Sequence, residues 1–203
     1  MVEAVEPTGP LSASSEQATL AGMPDPSSPP GLPKPDEAVP YYFTYIDRIA
    51  SADVVGVLQA QLEPALTFFS GLSDEASTFR YAPDKWSIRQ VLGHISDCER
   101  LFAARAFWFA RGFDSALPSF DPDACASAAR ADEITWTDLI EEFRGVRLAT
   151  LALFRNLPPE AWSRRGIASE NPFSVRALAY IAAGHLDHHL AILRERYVKP
   201  GPQ

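Results

Sequence analysis

The amino-acid sequence predicts an all-α protein, a four-helix bundle with long connections between helices 2 and 3 and between helices 3 and 4. Apolar residues recur at intervals of three and four in four segments of the 203-residue chain, which is the period of an amphipathic helix. No segment has the alternating pattern of a convincing strand, and no repeat of roughly 20–50 residues is visible. Proline, which interrupts helices, is concentrated outside the four segments.

The first forty residues differ in composition from the rest of the chain. They contain nine of the eighteen prolines, and they carry −5 of the net charge of −8 because six acidic residues stand against one lysine. Such a segment cannot form helix interiors and has little apolar surface to bury. We therefore predict that residues 1–40 are a Pro-rich, disordered N-terminal extension and that residues 41–203 form the helical-bundle domain.

The first two helices are predicted from their apolar stripes and their end signals. Helix 1 covers about residues 52–72, and Pro64 inside it is expected to bend it. Its stripe consists of Val54, Leu58, Leu62, Ala65, Phe69 and Leu72. Helix 2 covers about residues 87–111, with Ser87 as the N-cap and Gly112 as the stop. Its stripe consists of Ile88, Val91, Leu92, Ile95, Cys98, Phe102 and Ala106.

The last two helices follow long connections with little periodicity. Helix 3 covers about residues 135–156 and ends before two consecutive prolines. Its stripe consists of Trp136, Leu139, Ile140, Phe143, Val146, Thr150, Leu153 and Phe154. Helix 4 covers about residues 174–197, with Ser174 as the N-cap. Its stripe consists of Leu178, Ile181, Ala182, His185, His189, Ile192 and Leu193.

Composition and charge exclude several classes of partner and point to a cytoplasmic protein. The longest apolar stretches are far shorter than the ~20 residues that cross a bilayer, which argues against a membrane partner. The net charge of −8 and the lack of a Lys/Arg stripe argue against a nucleic-acid partner. Cys98 and Cys125 are too few for a disulfide framework, so reduced thiols are expected. The sequence does not define the oligomeric state, and a homodimer is kept as one alternative.

The four histidines of the chain define the candidate site. His185 and His189 are four residues apart on the apolar face of helix 4, so their imidazoles lie about 6 Å apart along the helix axis and can reach one ion. His94 lies on the apolar face of helix 2 and supplies a third imidazole. His188 lies one position off this face. The pattern predicts that His94, His185 and His189 bind one divalent ion with a position left open.

Other interpretations of these residues remain open. A single buried histidine is more often a hydrogen-bonded core residue than a metal ligand, although the pairing of two on one face favours metal. Asp97, Glu99 and Asp187 are candidates for carboxylate ligands or for acceptors behind the histidines, and each also fits an exposed helix face. Cys98 is a candidate fourth ligand, although a small buried core residue fits the pattern better.

Two motifs resemble a known family. DKWSIRQVLGHISDCERLF, together with AGHLDHHLAILRERY about ninety residues later, is similar to the DinB-like superfamily of metal-binding four-helix bundles. The resemblance covers about residues 41–200. In that superfamily one histidine of the second helix and two histidines of the last helix bind a divalent transition metal, commonly zinc or nickel. The corresponding residues here are His94, His185 and His189, and His188 matches an additional histidine that is not a ligand.

The resemblance implies an enzyme that acts on small molecules. Characterised members resemble thiol S-transferases that use bacillithiol, mycothiol or glutathione, and others resemble thiol-dependent isomerases or hydrolases. The leading expectation is a metal-dependent thiol S-transferase that acts on small electrophiles, with the thiol and the substrate as its partners. The alternatives are a metal-dependent hydrolase and a non-catalytic metal-binding stress protein. A fourth protein ligand at the metal would favour the non-catalytic alternative.

Overall fold

The computed structural model describes residues 30–198, most of which are helical. The helices, in chain order, are α1 (Phe43–Ile46), α2 (Val54–Ser70), α3 (Asp74–Ser77), α4 (Ile88–Ala110), α5 (Pro122–Ala129), α6 (Trp136–Arg155) and α7 (Val175–Ile192). Short 3-10 turns occur at Pro40–Tyr42, Ala131–Glu133 and Pro159–Ser163, and a π turn at Leu193–Tyr197 extends α7. None of the helices in this range combines the length and apolarity that a membrane span requires.

The four long helices α2, α4, α6 and α7 form the predicted bundle, and each of the four predictions is confirmed within a few residues. Helix α4 packs against α6 and α7, and α2 packs against the same two helices. Helices α2 and α4, which follow one another among the long helices, are therefore diagonal in the bundle. The largest fully buried apolar side chains line this core: Tyr180, Phe69, Phe109, Phe143, Phe154, Leu58, Leu92 and Leu139.

Local signals fix where the helices begin. The Ser87 hydroxyl accepts a hydrogen bond from the Gln90 backbone N–H, and the Gln90 side chain accepts one from the Ser87 backbone N–H, which completes a capping box on α4. Ser174 caps α7 by accepting from the Ala177 N–H. Helix α2 continues past Pro64 without ending. The caps thus fix the first turns of α4 and α7, the two helices that contain the histidines.

The connection between α6 and α7 contains a β-hairpin that the sequence analysis did not predict. Strands β1 (Arg165–Ala168) and β2 (Asn171–Ser174) pair antiparallel, and Ser169 and Glu170 form the turn with φ values of 50° and 63°. Two positive φ values favour Asn-Gly or Gly-Gly in such turns. The sequence shows no convincing strand pattern here because Ser-Glu gives no such turn signal, and the small hairpin leaves the predicted helical fold class unchanged. The connection between α4 and α6 likewise contains α5.

The predicted boundary of the extension at residue 40 was placed too late. Glu37 and Ala38 are buried, and the Glu37 carboxylate accepts hydrogen bonds from the Ser174 hydroxyl at 2.7 Å and from Arg176 Nε at 2.9 Å. The segment just before residue 40 therefore packs against the start of α7. Residues 1–29 of the predicted extension lie outside the described residues, so their disorder stays a prediction.

Candidate metal centre

Three imidazoles converge where α4 packs against α7. The Nε2 atom of His185 lies 3.2 Å from Nε2 of His94 and 3.1 Å from Nε2 of His189. His94 and His185 are buried, and His189 is half-buried at the edge of a cavity. The structure thus brings together the three histidines that the sequence analysis selected from two helices some ninety residues apart.

The two nitrogen–nitrogen distances at His185 fit a shared ion. Nitrogens that are ~2.0–2.1 Å from one zinc ion lie roughly 2.8–3.4 Å from each other over the range from octahedral to tetrahedral angles. Hydrogen bonds alone do not account for the cluster, because Nε2 of a neutral imidazole has either one hydrogen or one lone pair and His185 Nε2 faces two partners. A cation at the centre would satisfy all three nitrogens.

Burial keeps the three imidazoles neutral, which is the form that binds metal. It lowers the pKa of His94 to about 4 and that of His189 to about 3, and it lowers the pKa of His185 well below its usual range. For His185 and His189 the neighbouring imidazoles lower the pKa further. Each ring therefore has a lone pair available at neutral pH.

His188 lies outside the cluster, as the sequence analysis predicted. Its ring contacts the edge of Tyr45, with 5.4 Å between the ring centroids, and Tyr45 also contacts His185 at 5.3 Å. Helix α1 can approach this closely because Gly184 has no side chain: a Cβ there would collide with the backbone carbonyl of Tyr45. The small size of Gly184 thus lets the Tyr45 ring pack against His185, the residue after Gly184.

Cys98 is buried, as the sequence favoured, and it also lies next to the imidazole of His94. Its Sγ atom is 3.6 Å from Nδ1 and 3.7 Å from Nε2 of His94, and the donor atoms of His94, Cys98 and His185 all lie within 4.8 Å of one another. Burial raises the pKa of the Cys98 thiol to about 12, so without a metal it stays protonated. The structure therefore retains Cys98 as a candidate fourth ligand.

The three candidate carboxylates all have other partners. Asp97 contacts Arg100 at 3.2 Å and accepts from Cys125 Sγ at 3.5 Å. Asp187 pairs with Arg48, and Glu99 pairs with Arg147 in the core. The suggestion that one of these carboxylates serves the histidine site finds no support among these contacts.

A cavity of about 360 Å³ opens above the imidazoles. Aromatic side chains form most of its walls: Tyr41, Tyr42, Tyr45, Trp86, Phe102 and Phe120. Arg105 and Ser169 lie on its wall as well, and no Asp or Glu is present among the described residues that line it. Sequence reasoning missed Arg105, although the steps from His94 to Cys98, Phe102 and Arg105 follow one helix face.

The fold and the histidine cluster define a helical bundle with a buried candidate metal centre, and sequence comparison places this bundle in a family. The family model of the DinB superfamily matches residues 58–193, more than half of the chain and a range that includes all four histidines. The chain belongs to the DinB superfamily, and the resemblance seen in the two histidine motifs is confirmed.

Among solved structures, YfiT from Bacillus subtilis has a similar fold. The TM-score is 0.63, and the match covers 81% of this chain and 91% of YfiT at 17% sequence identity. YfiT is described as a probable metal-dependent hydrolase with an unusual four-helix bundle topology. At this identity the likeness shows the fold alone. A search of curated protein sequences finds no match.

Proposed function

We propose that this protein is a metal-dependent enzyme whose divalent ion is bound by His94, His185 and His189, and that it transfers a thiol to small electrophiles. The observation that carries the proposal is the convergence of three neutral imidazoles at the floor of a cavity. Nε2 of His185 lies 3.2 Å from Nε2 of His94 and 3.1 Å from Nε2 of His189. With only three imidazoles as ligands, the ion would keep a coordination position for a substrate, and the cavity beside the imidazoles would admit that substrate.

The lining of the cavity favours a nucleophile that needs no protein base. A bound ion would supply a positive charge that stabilises a thiolate or a deprotonated water. None of the described lining residues is a carboxylate that could accept a proton. A thiol, with an unperturbed pKa of ~8.5, needs less help from the ion to lose its proton than water does, since the pKa of free water is ~15.7. A low-molecular-weight thiol such as bacillithiol, mycothiol or glutathione therefore suits this cavity.

Hydrolysis is the second candidate function. It is favoured by the likeness to YfiT, which is described as a probable metal-dependent hydrolase. A zinc ion with three histidine ligands lowers the pKa of its water to ~7, so that hydrolysis can proceed without a strong protein base. A site that includes Cys98 as a fourth ligand would instead support a metal-binding protein without turnover.

Two assays on the zinc-loaded and nickel-loaded protein separate these functions. The first follows conjugation of each of the three thiols to monochlorobimane, and the second follows hydrolysis of a nitrophenyl ester. Conjugation that depends on His189 and survives His188→Ala supports thiol transfer, because the two histidines are adjacent and only His189 joins the cluster. Ester hydrolysis with the same dependence, and no conjugation, supports the hydrolase. Activity in neither assay, together with a stable bound ion, would contradict both.

The cellular setting is part of the proposal. Both cysteines are free thiols, with Cys98 buried and Cys125 half-buried. Free cysteines are typical of reducing compartments, which is also where low-molecular-weight thiols are kept reduced. We therefore propose that the protein works in the cytoplasm on small molecules.

A further inference from the structure

Arg105 is a buried cation without a counter-charge. Its side chain is on the wall of the cavity and is 2% exposed. Buried arginines are normally paired with carboxylates. The other two buried arginines of the described chain follow this rule, because Arg147 pairs with Glu99 and Arg89 pairs with Asp74. Arg105 forms no ion pair with any residue between 30 and 198.

The hydrogen bonds of Arg105 leave its Nε unused. Nη2 donates to the carbonyl of Pro118 at 3.1 Å and to the hydroxyl of Ser169 at 2.8 Å, and both acceptors are neutral. Nε is buried without an acceptor among the described residues. A buried donor without a partner is costly to a fold, and an unpaired buried charge costs more. Burial lowers the pKa of Arg105, as expected for a cation that lacks a counter-charge.

The hydrogen bonds to Pro118 and Ser169 hold the guanidinium in place on the cavity wall. Ser169 occupies the left-handed turn of the hairpin, and Pro118 lies in the connection that follows α4. Two separate segments thus fix the orientation of one side chain. The phenol of Tyr42 lies on the same cavity wall. Burial raises the pKa of Tyr42, and the positive charge of Arg105 partly offsets this rise.

We propose that Arg105 binds the carboxylate, or an equivalent oxyanion, of an elongated aromatic or apolar substrate. The inference rests on the proposed function, because both place the substrate in the same cavity. Arg105 and His94 are eleven residues apart on α4, or about 16 Å along the helix axis, and an arginine side chain leans back toward the N-terminus of its helix. A substrate held by its anionic end at Arg105 therefore extends along the aromatic walls toward the histidines.

The test compares an acid with its neutral counterpart. The probes are 4-phenylbutyrate and 4-phenylbutanamide, which differ in charge and little in shape, and the measurement is calorimetric titration of the full-length protein. The titration is run on protein as purified and on chelated protein, since a carboxylate can also bind a metal ion. We expect the chelated protein to bind the acid at least about tenfold more tightly than the amide, the effect of one charge-assisted hydrogen bond.

Variants assign this preference to Arg105. Arg105→Met should abolish the preference for the acid, and Arg105→Lys should keep part of it because it keeps the charge. Arg111→Met is the matched control, because Arg111 is exposed at the end of the same helix, and it should leave the preference unchanged. Equal binding of acid and amide by the unaltered chain would overturn the inference, and this comparison does not depend on how any variant folds. A preference that persists in a folded Arg105→Met protein would overturn it as well.

The result of this binding test can be distinguished from the result of the tests of the proposed function. If the histidines bind no metal but the chelated protein still prefers the acid through Arg105, the anion site stands and the metal proposal fails. If zinc binds to the histidines and the acid is not preferred, the metal proposal stands and the assignment of Arg105 fails.

Discussion

Helix α4 has two buried polar clusters that differ in how fully their atoms are paired. In the first, Arg147 donates from Nε and Nη2 to the two oxygens of Glu99, at 2.7 Å each. Its Nη1 donates to the Leu58 carbonyl and to the Gln61 side chain, and Gln61 donates to the Ala183 carbonyl. This cluster, the Glu99–Arg147 tie, connects all four long helices.

The second cluster, the cavity cluster, consists of His94, Cys98, Arg105, His185 and His189. All of its side chains except that of His189 are buried, yet the imidazoles share one nitrogen between two partners and Arg105 Nε has no acceptor among the described residues. Native folds pair nearly all of their buried polar atoms. From this comparison we expect the paired cluster to stabilise the fold and the unpaired cluster to bind ligands that come from outside the chain.

Breaking the Glu99–Arg147 tie should have the largest effect on stability. Arg147→Met leaves the Glu99 carboxylate buried without its partner, which costs about 3–5 kcal/mol of unfolding free energy. Urea unfolding of metal-free protein measures this loss. The matched control is Arg144→Met on the same helix, whose exposed pair with Glu141 is worth about 1 kcal/mol or less. Similar losses in both variants would mean that the tie is not structural.

Metal should stabilise the cavity cluster by an amount that depends on its concentration. A zinc concentration one hundred times Kd adds about 2.7 kcal/mol to the unfolding free energy, which corresponds to several degrees in Tm. The increment should disappear in His185→Ala and persist in His188→Ala. The metal-free protein should stay helical by circular dichroism, because the apolar core extends far beyond the site. Complete unfolding on chelation would instead favour a closed structural site.

Shortening the N-terminus tests whether the paired polar contacts of Glu37 matter for stability. A chain that begins at Pro40 loses the Glu37 contacts with Ser174 and Arg176, which should cost about 1.5–3 kcal/mol for hydrogen bonds to a charged group. A chain that begins at Pro30 keeps these contacts and should unfold within about 0.5 kcal/mol of the full chain. Thermal unfolding of the three lengths compares them. Equal stability of the two shortened chains would show that Glu37 contributes nothing.

Acid should destabilise the metal-free protein through the buried histidines. The unfolded chain takes up protons near pH 6.5, whereas folded His94 and His189 do so only near pH 4 and pH 3, so the unfolding free energy falls as the pH falls from 6.5. Between pH 6.5 and pH 5.5 the loss is at most about 1 kcal/mol for each histidine. Urea unfolding across this range measures the slope. His94→Gln should reduce the slope, and an unchanged slope would contradict the role of His94.

The sequence predicted the frame of the molecule better than its connections. Four apolar stripes and the caps at Ser87 and Ser174 gave the long helices within a few residues, because periodicity and capping are local properties of the chain. The hairpin was missed because its turn uses Ser169 and Glu170 at positive φ instead of glycine. Burial of Glu37 was missed because its partner Arg176 is far away in sequence.

The same distinction applies to the site. The three histidines were predictable because two of them share one helix face and the third lies on the apolar face of another helix. The burial of Arg105 was harder to predict, since an arginine at the edge of a helix stripe normally keeps its charge in water. Only the packing of the hairpin and of the α4–α6 connection over α4 shows that this charge is buried without a counter-charge.

Zinc content per chain tests the central claim, that the unpaired cavity cluster is a metal site with three histidine ligands. Elemental analysis after equilibration with excess zinc and dialysis compares the unaltered protein with His189→Ala, His188→Ala and Cys98→Ala. We expect one zinc per chain in the unaltered protein, in His188→Ala and in Cys98→Ala, and little zinc in His189→Ala. Equal zinc loss from His188→Ala and His189→Ala, or no bound zinc in the unaltered protein, would contradict the account.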